Sequence, residues 1–224
     1  MNKSAIDAVL FDLDGVLIDS GPAHLESWRR LAMELGIAIT DDQFKSTFGR
    51  QNRDVIPMLF GPGNDPERMH EWSERKEAYY RELIADRVPI FVGATGLVRA
   101  CHRAGMKCAI GSSGHPKNIA LAVAALRIET EISVVVSGQD VSAGKPDPQV
   151  FLLGAERLGV SAARCAVIED APAGIAAALN AGMTAIAVAS EHPREHLNRA
   201  HLIVDRLSDL TPARIGGAAQ QRWS

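Results

Sequence analysis

The chain has 224 residues, of which 46% are hydrophobic, and its 24 basic and 27 acidic residues give a formal net charge of -3. This composition is typical of a globular protein with one large domain or a core and an insertion, and the charge gives no reason to expect nucleic acid or an anionic membrane as a partner. No apolar run approaches the roughly 18 residues that span a bilayer, and the N-terminal apolar run is too short for a signal peptide, so we expect a cytoplasmic protein.

Short apolar strands alternate with helices in the first part and the last two-thirds of the chain. The strands are rich in valine and isoleucine and apolar on both faces, which is typical of a parallel sheet with helices on both sides. The pattern predicts the α/β class, with a doubly wound, Rossmann-like parallel-sheet core. The predicted strands are Ala8–Phe11, Cys108–Gly111, Ser133–Ser137, Cys165–Ile168, Thr184–Ala189 and Leu202–Val204.

An all-helical segment interrupts this alternation after the first strand. It contains an apolar stripe at helical spacing, a capping box from Thr40 to Gln43, and a long charged helix that begins at Asp65 and Pro66. We interpret it as a cap inserted into a sheet-based core. The predicted domains are an α/β core of residues 1–19 and 89–213, a helical cap of residues 20–88, and a tail of residues 214–224, in which residues 216–224 are expected to be loosely ordered.

The three cysteines, Cys101, Cys108 and Cys165, are scattered along the chain. Their odd number argues against a disulfide framework, and no pair has the spacing of a zinc site. We expect each to be a buried apolar side chain.

Polar residues follow four of the predicted strands. In doubly wound sheets, ligands bind at the carboxyl ends of the strands, so these residues are expected to converge. Four carboxylates with one lysine need a compensating cation, and Mg²⁺ binds clustered carboxylates, while the hydroxyls and the lysine suit a phosphoryl group. The residues are Asp12 and Asp14 after the first strand, Ser112 and Ser113 after the second, Lys145 beyond the third, and Glu169 and Asp170 after the fourth.

This set of residues is typical of phosphoryl transfer. A carboxylate beside Mg²⁺ can attack phosphorus, which makes a covalent intermediate feasible. A second carboxylate can act as the acid and then as the base. We therefore expect a small phosphorylated metabolite as the binding partner.

Four short motifs in chain order resemble those of the haloacid dehalogenase superfamily. They are "FDLDGVLIDS", "IGSSG", "GKPDP" and "VIEDAPAGI", and the resemblance covers nearly the whole chain. It implies that Asp12 is the nucleophile that forms a phosphoaspartyl enzyme, and that Asp14 protonates the leaving alcohol and then deprotonates the acceptor. The presence of Asp14 favours phosphate esters over the substrates of the superfamily's dehalogenases and phosphonate hydrolases.

The resemblance also implies the remaining site residues. Ser112, Ser113 and Lys145 are expected to bind the phosphoryl oxygens. The expected Mg²⁺ ligands are Asp12, the backbone carbonyl of Asp14, Glu169 and Asp170.

The cap resembles that of β-phosphoglucomutase-like members. His24, Trp28 and Lys76 match a histidine, a tryptophan and a lysine of that subgroup. Gly21 stands where a glutamate is common, and Asn52 stands where the mutase has its sugar-phosphate arginine. These two departures favour a phosphatase, in which water accepts the phosphoryl group, over a mutase, in which a sugar hydroxyl accepts it.

The function that we predict is a Mg²⁺-dependent phosphatase acting on a small phosphate ester such as a sugar phosphate, with a phosphosugar mutase as the alternative. Arg50, Arg53 and Lys76 are candidates to bind a second anionic group of the substrate. The less specific interpretation is that Trp28 is a packing residue and that His24, Lys76 and the arginines are solvated surface groups.

Two non-catalytic alternatives remain, a phospho-receiver domain and an inactive scaffold. Receiver domains are shorter, and their accepting aspartate follows a later strand. The residues His192, His196 and His201 are interpreted as part of an exposed helix rather than as a second metal site. We expect a monomer, because the cap itself covers the site.

Overall fold

Six strands form a single parallel sheet in the computed structural model, which describes residues 6–47, 49–63 and 65–220. The order across the sheet is β3-β2-β1-β4-β5-β6, and every neighbouring pair is parallel. The predicted doubly wound α/β fold is therefore confirmed, and each strand begins and ends within one residue of its predicted bounds. The strands are β1 (Ala8–Phe11), β2 (Lys107–Gly111), β3 (Ile132–Val136), β4 (Cys165–Glu169), β5 (Thr184–Val188) and β6 (Leu202–Val204).

The strands differ in how completely they are buried. Every residue of β1, β4 and β5 is buried. In β3, at the edge of the sheet, Ser133 and Val135 are exposed and alternate with less exposed residues. The expectation of two buried faces is therefore right for the central strands and wrong for this edge strand, which has a neighbour on one side only.

Helices connect the strands and fill the insertion between β1 and β2. No helix among the described residues is long and apolar enough to cross a membrane. In the described part of the chain, short 3₁₀ helices lie at Ala162–Arg164, Arg194–Leu197 and Leu207–Asp209. The α-helices of the described residues are α1 (Gly21–Glu34), α2 (Asp41–Lys45), α3 (Asn52–Phe60), α4 (Pro66–Ile84), α5 (Ala94–Arg103), α6 (Pro116–Leu126), α7 (Gln149–Leu158), α8 (Pro172–Asn180) and α9 (Pro212–Ala218).

Residues Ser20–Pro89 form one compact unit, and the remaining described residues form the other. The first unit contains α1 to α4 and, among its described residues, no strand. The predicted helical insertion is thus confirmed. We call this unit the cap and the other unit the core.

Local sequence signals start two of the cap helices. The Thr40 hydroxyl accepts a hydrogen bond from the Gln43 backbone N–H, and the Gln43 side chain accepts one from the Thr40 N–H, as in the predicted capping box. The Asp65 carboxylate caps α4, with Pro66 at its first position. Apolar side chains from α1, α2 and α3 pack into the cap's own hydrophobic cluster, which comprises Trp28, Leu31, Phe44, Val55, Ile56 and Leu59.

The end of the chain differs from the prediction. Helix α9 extends to Ala218, and Ile215 and Ala218 are buried. Residues 216–218 lie in this helix, so the structure differs there from the expected loosely ordered stretch. Residues 221–224 lie outside the described part of the chain.

The three cysteines are buried and unpaired, as predicted. Burial raises the pKa of Cys101 and of Cys108 to about 12, and that of Cys165 to about 11. Because a thiol reacts as its thiolate, these side chains are packing residues rather than nucleophiles.

Helix α7 approaches the central strand closely at Gly154. A Cβ atom added to Gly154 would lie 2.7 Å from Leu10 Cδ2, which is closer than real carbon contacts. A Cβ atom added to Gly96 in α5 would have no such neighbour within 4 Å.

We expect Gly154→Ala to lower the free energy of unfolding by about 1–3 kcal/mol, because the added methyl group overpacks the core against Leu10. Gly96→Ala is the matched control, and it is expected to raise the free energy of unfolding by up to about 1 kcal/mol through helix propensity alone. Urea denaturation of both variants measures the difference. Equal gains in stability for the two variants would show that α7 has room to move away from β1.

Candidate active site

The register of the central strands brings polar residues from separate parts of the chain together. Phe11, the last residue of β1, pairs with Ile110 of β2 on one side and with Ile168 of β4 on the other. Asp12 follows Phe11, and its backbone N–H donates to the Ile168 carbonyl at 2.9 Å. Asp12 and Glu169 are therefore neighbours at the carboxyl end of the sheet, beside β1, where the strand order reverses and ligands bind in such folds.

Lys145 connects these two carboxylates. Its Nζ donates to Asp12 Oδ1 and to Glu169 Oε1, each at 2.7 Å. The ring of Phe151 lies 5.0 Å from the same ammonium group. Burial by itself would lower the pKa of Lys145, but the Asp12 and Glu169 carboxylates outweigh it and raise the pKa. Lys145 is therefore held in its charged form.

Glu169 is held from two directions. Its Oε1 accepts from Lys145, and its Oε2 accepts from the backbone N–H groups of Asp170 and Ala171, each at 2.8 Å. Two glycines leave room for the carboxylates of Glu169 and Asp170. A Cβ atom added to Gly174 would lie 1.6 Å from Glu169 Oε1. A Cβ atom added to Gly15, where φ is +80°, would lie 2.2 Å from Asp170 Oδ2. No side chain fits at either position without displacing a carboxylate.

Three buried acids form the most crowded part of the site. Asp12, Glu169 and Asp170 each offer a carboxylate oxygen, and these oxygens lie within 4.8 Å of one another. Burial raises the pKa of Asp12 to about 7, with Glu169 and Asp14 adding to the effect and Lys145 opposing it. Burial, followed by the charges of Glu169 and Asp12, raises the pKa of Asp170 well above its ordinary value.

Asp14 and Ser112 both lie close to Gly114. A Cβ added to Gly114 would lie 3.0 Å from Ser112 Oγ and 3.4 Å from Asp14 Oδ2. Ser112 is buried, and its hydroxyl oxygen accepts the Gly114 N–H at 2.9 Å, so this serine forms a turn and still has its proton to donate. Ser113 in the same loop is half-buried, and its predicted contact with phosphate stays a prediction.

The cap contains a second polar cluster, around Lys76. Lys76 is 1% exposed, and its Nζ lies 2.7 Å from His24 Nδ1 and 2.9 Å from Glu77 Oε1. The rings of Trp28 and Tyr80 lie 5.2 and 5.4 Å from the ammonium, and His24 stacks on Tyr80 with ring centroids 4.1 Å apart. The interpretation of Lys76 as a solvated surface residue is therefore wrong.

Asn52 completes this cluster. Its Nδ2 donates to Glu77 Oε1 at 2.7 Å and to Ser73 Oγ at 2.9 Å. Burial by itself would raise the pKa of Glu77, but Lys76, His24 and the Asn52 amide outweigh it and lower the pKa to about 2. We call His24, Asn52, Lys76 and Glu77 the cap cluster.

Comparison with known proteins identifies the family. Residues 6–182 match the family of haloacid dehalogenase-like hydrolases. The chain belongs to this family. The match includes β1 with Asp12 and Asp14, the whole helical cap, and β4 with Glu169 and Asp170.

Relatives of this haloacid dehalogenase-like hydrolase include a mutase and a phosphatase. The chain is 33% identical over 211 residues to the β-phosphoglucomutase of Bacillus subtilis, covering 91% of each chain. It is 29% identical over 181 residues to the phosphorylated carbohydrates phosphatase of Thermotoga maritima, covering 81% of this chain and 84% of that one. The crystal structure of β-phosphoglucomutase from Clostridium difficile superposes with a TM-score of 0.89 at 28% identity, covering 97% of this chain and 99% of that one. The predicted membership in the β-phosphoglucomutase-like subgroup is confirmed.

The acidic cluster of this haloacid dehalogenase-like hydrolase fits a divalent cation. When ionised, Asp12, Glu169 and Asp170 carry three negative charges against the single positive charge of Lys145. Asp170 Oδ2 is buried and has no hydrogen-bond partner, which is costly for a carboxylate oxygen unless a cation binds it. Carboxylate oxygens are the ligands that Mg²⁺ prefers. The acidic cluster found among the described residues does not include the Asp14 carboxylate. This is compatible with the prediction that Asp14 binds the metal through its backbone carbonyl.

Sequence reasoning missed Glu77 as a member of the cap cluster, and it missed the contact of Tyr80 with His24 and Lys76. Glu77 adjoins Lys76 in the chain, and Tyr80 lies one helical turn after Lys76 on α4. A buried lysine predicts a nearby carboxylate, but the highly charged sequence of α4 gives no sign that Lys76 is buried. Arg50 and Arg53 are exposed residues before and within α3, and their predicted role in binding an anion stays a prediction.

Addition of Mg²⁺ is expected to raise the melting temperature of the wild type, because a ligand that binds only the folded state stabilises it. In Asp170→Asn the metal-free protein should melt about 2–4 °C higher, since one charge leaves a crowded buried cluster, and the Mg²⁺-dependent rise should disappear. Thermal unfolding with and without Mg²⁺ measures both effects. The control is Asp86→Asn at an exposed cap residue, and an unchanged Mg²⁺ effect in Asp170→Asn would contradict the proposed site.

Glu77→Gln is expected to destabilise the protein at neutral pH by about 2–3 kcal/mol, because the pKa of Glu77 falls from its ordinary value of 4.5 to about 2 in the folded state. A lowered pKa contributes stability above pH 4.5 and loses it as the pH falls toward 2. The stability difference between wild type and variant should therefore shrink over that range. Urea denaturation at several pH values checks this, with Glu82→Gln on the exposed part of α4 as the control. A difference that is independent of pH would mean that Glu77 is not ionised in the folded protein.

Proposed function

We propose that this chain is a Mg²⁺-dependent phosphatase that hydrolyses a small sugar phosphate through a phosphoaspartyl intermediate on Asp12. The observation that carries the proposal is the pairing of Asp12 with the buried Lys145 ammonium, beside an acidic cluster with an unpartnered oxygen on Asp170. A phosphatase among the relatives, named for phosphorylated carbohydrates, supports the substrate class.

Asp12 is the nucleophile in this proposal. Its Oδ1 is engaged by Lys145, which orients the carboxylate and leaves Oδ2 to attack phosphorus. An oxygen–phosphorus bond forms to Asp12 as the bond from phosphorus to the alcohol breaks. Lys145 also places positive charge beside the phosphoryl oxygens, and Ser112 has a hydroxyl proton to donate to one of them.

Asp14 moves the protons. In the first step it gives its proton to the leaving alcohol, and in the second it takes a proton from the water that attacks the phosphoaspartate. The second step releases inorganic phosphate and restores the Asp12 carboxylate. The half-buried position of Asp14, near Ser112 but outside the three clustered acids, supports this separate role.

Three carboxylates and one carbonyl would hold the metal: those of Asp12, Glu169 and Asp170, and the backbone carbonyl of Asp14. When bound, Mg²⁺ supplies positive charge that offsets the repulsion between the Asp12 carboxylate and the anionic phosphoryl group. Glu169 has a second function, because its hydrogen bonds with Lys145 and two backbone N–H groups orient that lysine toward Asp12.

A phosphosugar mutase is the second candidate function. A relative named β-phosphoglucomutase, at 33% identity, and a crystal structure of a β-phosphoglucomutase, at 28% identity, favour it. The environment of Asn52 favours the phosphatase, because at the position where the mutase has a sugar-phosphate arginine this chain has a neutral amide bonded to Glu77 and Ser73. The monomeric state expected from the sequence stays a prediction that size-exclusion chromatography tests.

Assay of a panel of sugar monophosphates with Mg²⁺ tests the proposal. We expect release of inorganic phosphate that stops when EDTA removes the metal. Glucose 1-phosphate in both anomeric forms, with a bisphosphate activator, tests the alternative. Isomerisation without phosphate release would show that the chain is a mutase, and no turnover of any ester would favour the scaffold or receiver interpretation.

Asp12→Asn is expected to lower turnover by more than about 10³-fold, because the substitution removes the nucleophile. The protein should stay folded, because the substitution also removes one charge from the acidic cluster. Asp14→Asn should also lose turnover, and Asp86→Asn should not. Phosphate release and circular dichroism measure the two properties. Turnover by Asp12→Asn at the wild-type rate would contradict the assigned role.

A further inference from the structure

Besides its two carboxylate partners, the Lys145 ammonium has an aromatic neighbour in the core, the ring of Phe151. The Nζ atom donates to Asp12 and Glu169, and it lies over the Phe151 ring at 5.0 Å from the centroid. Only 4% of the Lys145 side chain is exposed, so water has little access to the ammonium. The face of an aromatic ring is electron-rich and attracts a cation most strongly where water is excluded. The ring therefore contributes to holding the buried charge.

The Phe151 ring is itself fixed by its surroundings. Phe151 is fully buried on α7 and belongs to the same hydrophobic cluster of the core as Leu10 and Ala109. A Cβ atom added to Gly111, the last residue of β2, would lie 3.0 Å from Cδ1 and 3.1 Å from Cε1 of the ring. These distances are shorter than most real carbon contacts, so the backbone of β2 lies directly against one edge of the ring. The packing of α7 on the end of β2 thus sets where the ring lies beside Lys145.

The ring differs from the two carboxylates in what happens to its attraction during the reaction. An ammonium group has three N–H donors, and Asp12 and Glu169 accept two of them. In the proposed function Asp12 loses its negative charge when it becomes a phosphoaspartate, so its attraction for Lys145 weakens at that point. The Phe151 ring is unchanged by both steps. It can keep the ammonium in place while the charge of Asp12 changes.

We propose that Phe151 is a positioning residue for phosphoryl transfer: the face of its ring holds the Lys145 ammonium beside Asp12, where Lys145 neutralises the phosphoryl oxygens. This rests on the proposed function, in which Lys145 binds those oxygens. Phe151 acts through Lys145, and every contact that carries the inference lies within the core. The inference requires the charge distribution of the ring as well as its bulk.

Fluorination of the ring at position 151 of the full chain tests the inference, because each fluorine withdraws electrons from the face of the ring and weakens its attraction for a cation. Two matched pairs differ only in a fluorine at Cζ, away from the edge that contacts Gly111: phenylalanine with 4-fluorophenylalanine, and 3,5-difluoro- with 3,4,5-trifluorophenylalanine. The substrate is the sugar phosphate that the wild type hydrolyses fastest with Mg²⁺. We expect the added fluorine to lower kcat/KM about twofold in each pair, and three fluorines to lower it about tenfold from wild type.

A double-mutant cycle with Lys145→Met separates the charge of the ring from its packing, without any need for turnover. Urea denaturation of the metal-free proteins is the measurement. We expect 3,4,5-trifluorophenylalanine at position 151 to lower the urea midpoint more in the chain with Lys145 than in Lys145→Met, because the variant has no ammonium for the ring to hold. If Lys145→Met does not fold, Asp12→Asn/Lys145→Met removes a negative charge together with the positive one and replaces it in the cycle.

Each outcome of the two experiments decides the question. A kcat/KM that falls with the charge of the ring, together with a stability effect that depends on Lys145, supports the inference. A kcat/KM that is equal within both matched pairs shows that Phe151 is only a packing residue, and it overturns the inference while leaving the proposed phosphatase intact. Equal stability effects with and without Lys145 also overturn it. No Mg²⁺-dependent phosphate release from any ester by the wild type overturns the proposed function and this inference with it.

Discussion

The Lys145 ammonium lies between Asp12 and Glu169 in a position from which water is nearly excluded, and the site is organised around this contact. One cation cannot balance three buried carboxylates, so the folded chain keeps an acidic cluster in which burial raises the pKa of Asp12 and of Asp170. Such a cluster is unfavourable for stability by itself and favourable for binding a divalent cation and a phosphoryl group. The cost to stability is therefore tied to the chemistry that the site supports.

The backbone around this contact is arranged to bring the carboxylates close together. Gly15 and Gly174 lie where any Cβ atom would collide with Asp170 or Glu169. The backbone N–H groups of Asp170 and Ala171 fix the Glu169 carboxylate, which in turn fixes Lys145. The two glycines and the backbone N–H groups therefore determine where the carboxylates of the site lie.

The buried charges of the cap cluster, unlike those of the core, have partners of opposite charge within the cluster. Lys76 has a carboxylate partner, an imidazole acceptor and two aromatic rings around it, and the pKa of Glu77 is lowered rather than raised. The core cluster has an excess of negative charge and fits an external cation, whereas the cap cluster is balanced from within. This difference supports the proposed binding of the metal and the phosphoryl group by the core.

The sequence by itself determined the sheet, the helical insertion and the residues that follow each strand. Strand bounds were predictable because a buried parallel strand must be apolar on both faces and ends where polar residues begin. The burial of β3 and the helix α9 departed from expectation, because both depend on which other elements pack beside them. Only the tertiary structure decided that Lys145 contacts Asp12, 133 residues away, that Asp170 keeps an unpartnered oxygen, and that Glu77 pairs with a buried Lys76. Local composition specifies which groups are available, but strand register and helix packing set the distances between them, and the charge balance of a site depends on those distances.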